Sequence, residues 1–131
     1  MAMGPACGDV ITTRAATGAD ARRQLESGGW WPPAIPDEAT AIVEAHDLDT
    51  NGQKIMFAIE SSACRRAAEA LAALTAAESP RVPNLRMSEW PEWLSAGADA
   101  DTLRRRGAIA ARTEGGTLIL ACEEEKGYFW R

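Results

Sequence analysis

The sequence predicts an α+β fold: a mostly antiparallel sheet of about five strands, with one long alanine-rich helix packed on one face and short peripheral helices. Two segments, 40–60 and 108–131, contain apolar runs separated by hairpin-type turns. An alanine-rich stretch with helical spacing lies between them. The chain has 131 residues, of which 46% are hydrophobic and 25% charged. We therefore expect a single α+β domain over residues 1–131, with 1–12 as a flexible N-terminal segment.

The first predicted elements are a short helix and an extended connector. Thr17 can cap the helix, with Asp20 three residues later, and the helix continues through Leu25 to the pair Gly28-Gly29. Residues 30–36 contain two tryptophans and three prolines. Proline lacks an amide donor and fixes φ, so this segment is predicted to be neither helix interior nor central strand.

The segment 40–60 is predicted to be a β-hairpin that turns at Asn51-Gly52. A two-residue loop there would place Asp49 opposite Lys54, and His46 opposite Phe57. It would also place Leu48 opposite Ile55, and Glu44 opposite Ile59. The face expected to be buried then carries Glu44 and His46 together with five apolar residues: Ile42, Leu48, Ile55, Phe57 and Ile59.

The remaining elements are predicted from the spacing of apolar residues and from the residues that begin or end helices and turns. Ser61-Ser62 can cap a helix over residues 63–78, which Ser79-Pro80 would end. Shorter helical stretches are predicted at 88–94 and 99–106. Three further strands are predicted at 108–113, 117–123 and 128–131, with turns at 114–116 and 126–127.

The charge balance argues against nucleic-acid binding. The net charge is −5 and the isoelectric point is near 4.9, whereas phosphate recognition needs a basic surface. No apolar run approaches the ~18 residues of a membrane helix. The sequence also lacks phosphate-loop and dinucleotide fingerprints, so no cofactor is predicted. The expected partner is a protein or a small ligand.

The three cysteines leave the cellular compartment open. Cys7 follows small residues and precedes Gly8, which is typical of a lipoprotein cleavage site, so Cys7 is a candidate for lipid attachment. The alternative is an ordinary cysteine in a frayed terminus. Cys64 and Cys122 can pair if the protein is exported, and would be small buried hydrophobic residues if it is cytoplasmic.

Two groups of polar residues suggest chemistry. Asp47, Asp49 and Asn51 match the first positions of a calcium-binding loop, but Ala58 stands where the bidentate acid should be. A hairpin turn in which these side chains accept amide hydrogens is the alternative. His46, the only histidine, lies two residues from Glu44 and is the candidate catalytic residue, with Glu44 orienting it. The simpler interpretation is a partly buried histidine beside Phe57.

Five tryptophans in 131 residues are an excess, and tryptophan is common at binding surfaces. Trp30, Trp31 and Trp93 are therefore predicted to bind a ligand or partner. The alternative is that the tryptophans supply volume to a core that is rich in alanine.

Three sequence motifs indicate a resemblance between this chain and a known group of proteins. The chain contains Gly29-Trp30-Trp31-Pro32, the turn His-Asp-Leu-Asp-Thr-Asn at 46–51, and an aromatic-Trp-Arg end at 128–131. In these motifs the chain resembles a family of small, uncharacterised bacterial proteins, often lipoproteins. The resemblance covers most of residues 7–60 and the last few residues of the sequence. The resemblance implies a lipid-modified Cys7 and a location in the bacterial envelope, and it supplies no site residue.

Two hypotheses follow. The first is a non-catalytic, envelope-associated domain that binds through a tryptophan-bearing surface. The second is a small hydrolase or metal-dependent enzyme centred on His46 with Glu44, Asp47 and Asp49. An enzyme requires these side chains to converge in a polar pocket, whereas a binding domain requires an exposed apolar patch around Trp30, Trp31 or Trp93.

Overall fold

A computed structural model describes residues 10–73, 81–95 and 99–131. Within these residues, six antiparallel strands form one sheet in the order β1-β2-β3-β6-β5-β4. The strands are β1 Val10–Thr17, β2 Thr40–Asp47, β3 Gln53–Ala58, β4 Ala108–Thr113, β5 Gly116–Ala121 and β6 Lys126–Trp130. The helices are α1 Gly18–Leu25, α2 Ser61–Glu69 and α3 Ala100–Arg105, with a short 3₁₀ turn at Glu92–Leu94.

The sheet has one more strand than predicted, because β1 pairs antiparallel with β2 along its length. Residues 10–12 belong to this strand, and the rest of the segment expected to be flexible lies outside the described residues. The strand has one exposed edge and carries mostly threonine, alanine and arginine. The alternation of large apolar residues that marks a strand is therefore weak there.

The central hairpin has a longer loop than the predicted two residues. Residues 48–52 connect β2 to β3, the Asp47 carboxylate accepts from the Asp49 amide at 2.8 Å, and Asn51 has a φ of 63°. His46 therefore lies opposite Gln53 rather than Phe57, and Glu44 opposite Ile55 rather than Ile59. The register differs by four residues, an even number, so the predicted faces are kept.

One residue of the predicted buried face is misplaced. Leu48 lies in the loop and is 52% exposed, whereas Ile42, Ile55, Phe57 and Ile59 are buried as predicted. The predicted pairs of Leu48 with Ile55 and of Asp49 with Lys54 are wrong for the same reason. An Asx turn at Asp47 ends the strand before either residue can pair.

The long helix is shorter than predicted within the described residues. It begins at Ser61, and Glu60 caps it by accepting from the amides of Ser62 and Ala63. It ends at Glu69, and Ala73 forms a β-bridge with Ala111, so pairing with the sheet edge replaces helix that alanine would favour. Residues 74–78 of the predicted helix lie outside the described part.

The other predicted elements are found close to their predicted positions. Thr17 caps α1 and Asp99 caps α3, each through its side chain. The predicted helix at 88–94 is reduced to the 3₁₀ turn. The three C-terminal strands are present, but the predicted turn at 126–127 is wrong: Lys126 and Gly127 belong to β6, and the turn lies at 122–125. No helix in the described residues is long and apolar enough to cross a membrane.

Packing covers both faces of the sheet, which the prediction of a single helical layer did not include. On one face, α1, α2 and the connector enclose a first core with Ile55, Phe57 and Phe129 at its centre. On the other, residues of 81–95 and α3 pack over Tyr128 and Trp130 in a second core. A disulfide joins Cys64 of α2 to Cys122, just after β5, and resolves the open question of their pairing.

Candidate functional site

Three polar side chains form a buried hydrogen-bonded network at the end of the first core. Glu44 and His46 come from β2, and Gln53 comes from the facing end of β3. His46 Nδ1 lies 2.7 Å from Glu44 Oε2, and Gln53 Nε2 donates to the same oxygen at 2.8 Å. Glu44 and Gln53 are fully buried and His46 is 4% exposed, so the network lies inside the protein.

Trp30 covers this network from the connector that follows α1. Its ring stacks on the His46 imidazole with centroids 3.9 Å apart and planes 14° from parallel. Its carbonyl oxygen accepts from Gln53 Nε2 at 2.7 Å. The Arg131 guanidinium lies 5.2 Å from the centre of the indole and donates to the Gly29 carbonyl at 3.2 Å. The position of Trp30 is therefore fixed by both its ring and its backbone.

Burial controls the charge of the network. Loss of solvent raises the pKa of Glu44 above its ordinary value, and hydrogen bonds from Gln53 and His46 offset only part of this increase. Two buried acceptors, Oε1 of Glu44 and Oε1 of Gln53, have no hydrogen-bond partner among the described residues. Protonation of Glu44 would convert its carboxylate, which can only accept hydrogen bonds, into a group that can also donate one. The arrangement therefore favours a carboxyl group that keeps its proton to a higher pH than usual.

A small cleft lies on the outer side of Trp30. It has a volume of about 320 Å³ and is lined by Gly28, Gly29, Trp30, Asn51 and Arg131. Trp30 is half-buried and Arg131 is exposed. A ligand in this cleft would contact the indole, the guanidinium and the Asn51 amide, with the His46–Glu44 pair beneath the indole.

The structure brings together some of the predicted site residues and separates others. Glu44, His46 and Trp30 form one cluster, and Asn51 lies at its edge. Asp47 is the last residue of β2 and accepts the amide hydrogen of Asp49, which lies in the hairpin loop. Across the described residues, no group of three or more His, Cys, Asp or Glu side chains could hold a metal ion.

The other two predicted binding tryptophans lie elsewhere. Trp31 is half-buried against the first core. Trp93 is half-buried on the second core, edge-on to Tyr128 and 4.5 Å from the Arg106 guanidinium. The exposed large hydrophobic residues among those described are Ile11 and Leu48. The exposed patch around Trp30, Trp31 or Trp93 that was expected of a binding domain is therefore absent from this part of the chain. Cys7 lies outside the described residues.

Sequence reasoning missed Gln53 and Arg131 as members of the site. The predicted register placed Phe57 opposite His46, which left no reason to consider Gln53. Arg131 is the last residue, but its backbone pairs with that of Gln53 through two hydrogen bonds, of 3.0 and 3.1 Å. A correct hairpin register would have placed Gln53 opposite His46, whereas the position of Arg131 depends on the pairing of β3 with β6.

Comparison with known proteins gives one similarity. Residues 9–58 match the family model described as the YbbD head domain. The match covers less than half of the chain and includes β1, α1, β2 and β3, and with them Trp30 and the buried network. It supports the predicted resemblance to a small bacterial family over this region. It does not test the three motifs from which that resemblance was predicted. No curated protein and no solved structure matches the chain.

Proposed function

We propose that the chain is a non-catalytic domain that binds a small ligand or a partner protein at the cleft beside Trp30. The observation that carries the proposal is the placement of Trp30. Its indole is half-buried, stacks on His46 from within and lines a cleft together with Arg131 and Asn51. An aromatic ring, a cation and an amide that converge on one concavity are typical of small-ligand sites.

The buried network supports this surface before any ligand arrives. Gln53 holds the Trp30 backbone, and the imidazole holds its ring. A side chain that is already fixed loses little conformational entropy on binding. The polar residues that suggested catalysis therefore have a second role, which is to position the tryptophan.

The enzyme hypothesis remains the alternative, and one observation favours it. The 2.7 Å contact between Glu44 and His46 Nδ1 would orient the imidazole and leave Nε2 for chemistry. Such chemistry requires a substrate to reach an imidazole that Trp30 covers. The Asp47 carboxylate would also have to release the Asp49 amide to assist.

We propose a location in the bacterial envelope. The Cys64–Cys122 disulfide supports this location, because disulfides persist mainly in oxidising compartments. Lipid attachment at Cys7 would be the only contact with a membrane. The acidic net charge supports a function without nucleic acid.

The binding hypothesis is tested by nuclear magnetic resonance of the five tryptophan indole N–H groups. The Trp30 signal is identified by its loss in Trp30→Phe, and neutral sugars, amino acids and dipeptides are added in turn. We expect a binding compound to shift the Trp30 signal, and Arg131→Ala to weaken its binding by about tenfold. Arg65→Ala, at an exposed arginine of α2, is the matched control and should leave binding unchanged.

Two results would contradict the proposal. In the first, compounds bind while the Trp30 signal stays in place. In the second, the chain converts one of the compounds and His46→Gln abolishes the conversion, which would establish the enzyme hypothesis instead.

A further inference from the structure

Lys54 lies on the face of the sheet opposite the Glu44 and His46 side chains. It follows Gln53 on β3, and neighbouring residues of a strand point to opposite faces. Its cross-strand partners are Ala45 and Trp130. The residue is only 8% exposed, and its ammonium group lies 5.1 Å from the centre of the Trp90 ring. Lysine is rarely buried to this extent without a partner of opposite charge.

No such partner exists among the described residues. None of their carboxylates forms an ion pair with Lys54, and none of their acceptors forms a hydrogen bond with it. Burial lowers the pKa of Lys54, and no acid in the described part of the chain counteracts the decrease. The contact with the Trp90 ring compensates for only part of the lost hydration. An anion beside the ammonium group would supply the rest.

The Lys54 side chain lines a cavity of about 770 Å³, large enough for a small molecule. Its lining in the described residues includes a second cation, Arg86, and contains no carboxylate, although the whole chain carries a net charge of −5. Asn84 and Ser88 add polar groups, and Trp90 and Met87 add apolar surface. The cavity therefore combines local positive charge with an apolar wall.

We propose that this cavity binds a small molecule whose carboxylate pairs with Lys54 and whose apolar body lies against Trp90 and Met87. A single negative charge matches the single Lys54 ammonium group, whereas a doubly charged phosphate would cost more to desolvate here. The side chains of this site and of the Trp30 network lie on opposite faces of the sheet, so this proposal does not depend on the one above.

The test uses the fact that the chain contains only two lysines, Lys54 and Lys126. Lysine labelled with ¹³C gives two side-chain signals, and Lys54→Met and Lys126→Met assign them. The probe is benzoate, with benzyl alcohol as the uncharged analogue and acetate as the analogue without an apolar body. We expect benzoate to shift the Lys54 signal saturably and to leave the Lys126 signal in place. Both analogues should bind about tenfold more weakly.

Variants separate the contribution of charge from that of fold. Lys54→Met should weaken benzoate binding at least tenfold, and Lys126→Met should have no effect. Arg86→Gln, at an exposed position of the same cavity, should weaken it by a smaller factor and tests the site if the Met variant does not fold. A Lys54 signal that benzoate does not move would overturn the proposal. Phosphate or acetate binding as tightly as benzoate would overturn it as well.

Discussion

Glu44 has a carboxyl group that is fully buried, and the hydrogen bonds it accepts do not repay the loss of water. Its folded-state pKa therefore lies above the ordinary value of 4.5. Between 4.5 and the folded-state value, the folded protein holds a proton that the unfolded chain has released. Stability consequently falls as the pH rises through this range.

We predict that Glu44→Gln removes this pH dependence, because glutamine does not ionise. The free energy of unfolding of the wild type, relative to the variant, should fall as the pH rises above 4.5. The fall should be about 1.4 kcal/mol for each pH unit by which the folded-state pKa exceeds the ordinary value. Urea denaturation at a series of pH values measures it.

The same pair of proteins in a His46→Gln background provides the control, since no imidazole titrates there. If the stability of the protein with Glu44, relative to Glu44→Gln, is constant or increases with pH in both backgrounds, the result would show that burial does not raise the pKa of Glu44.

The sequence predicted the surroundings of some residues and not those of others. The proximity of Glu44 and His46 follows from their spacing of two on one strand, which is a local property. The stacking of Trp30 on His46 joins positions 16 residues apart through a connector whose path no local pattern determines. Burial of Lys54 was also unforeseen, because it depends on residues of 81–95 folding over the second face.

At the scale of elements, the disulfide connects α2 to the sheet. It closes a loop between positions 58 residues apart, and a loop of this size restricts the unfolded chain considerably. The helix itself has nine residues and would be marginal alone. The covalent link and the burial of Ala63 and Cys64 therefore keep it against the first core.

We predict that replacing both cysteines, as Cys64→Ser with Cys122→Ser, lowers the free energy of unfolding by about 4 kcal/mol. Urea denaturation of the oxidised wild type, the reduced wild type and the double variant measures the difference. The reduced wild type should resemble the variant. Equal stability of the oxidised and reduced wild type would show that the link contributes nothing to the fold.

The elements also show why prediction from sequence succeeded where it did. Turn residues and apolar alternation identified five strands, and an even error in the hairpin register preserved the buried face. The strand β1 was not predicted, because an edge strand needs few large apolar residues. The helix α2 was overestimated because alanine favours helix whatever the packing, whereas pairing between Ala73 and Ala111 depends on the sheet.

For the whole molecule, the sheet separates two environments. One face carries the first core and, at its end, the Glu44–His46–Gln53 network under Trp30. The other carries the second core and the cavity beside Lys54. The register of β2 and β3 determines both, since adjacent residues Gln53 and Lys54 point to opposite sides. The two proposed sites can therefore be changed independently.

His46 supports Trp30 from inside the protein and is almost closed to solvent. The rate at which diethyl pyrocarbonate modifies the only histidine measures this protection, and mass spectrometry of the His46 peptide follows the modification. We expect slow modification in the wild type, an increase of about tenfold or more in Trp30→Ala, and no change in the matched control Trp93→Ala. Modification of wild-type His46 as fast as in the unfolded chain, unaffected by Trp30→Ala, would contradict this expectation.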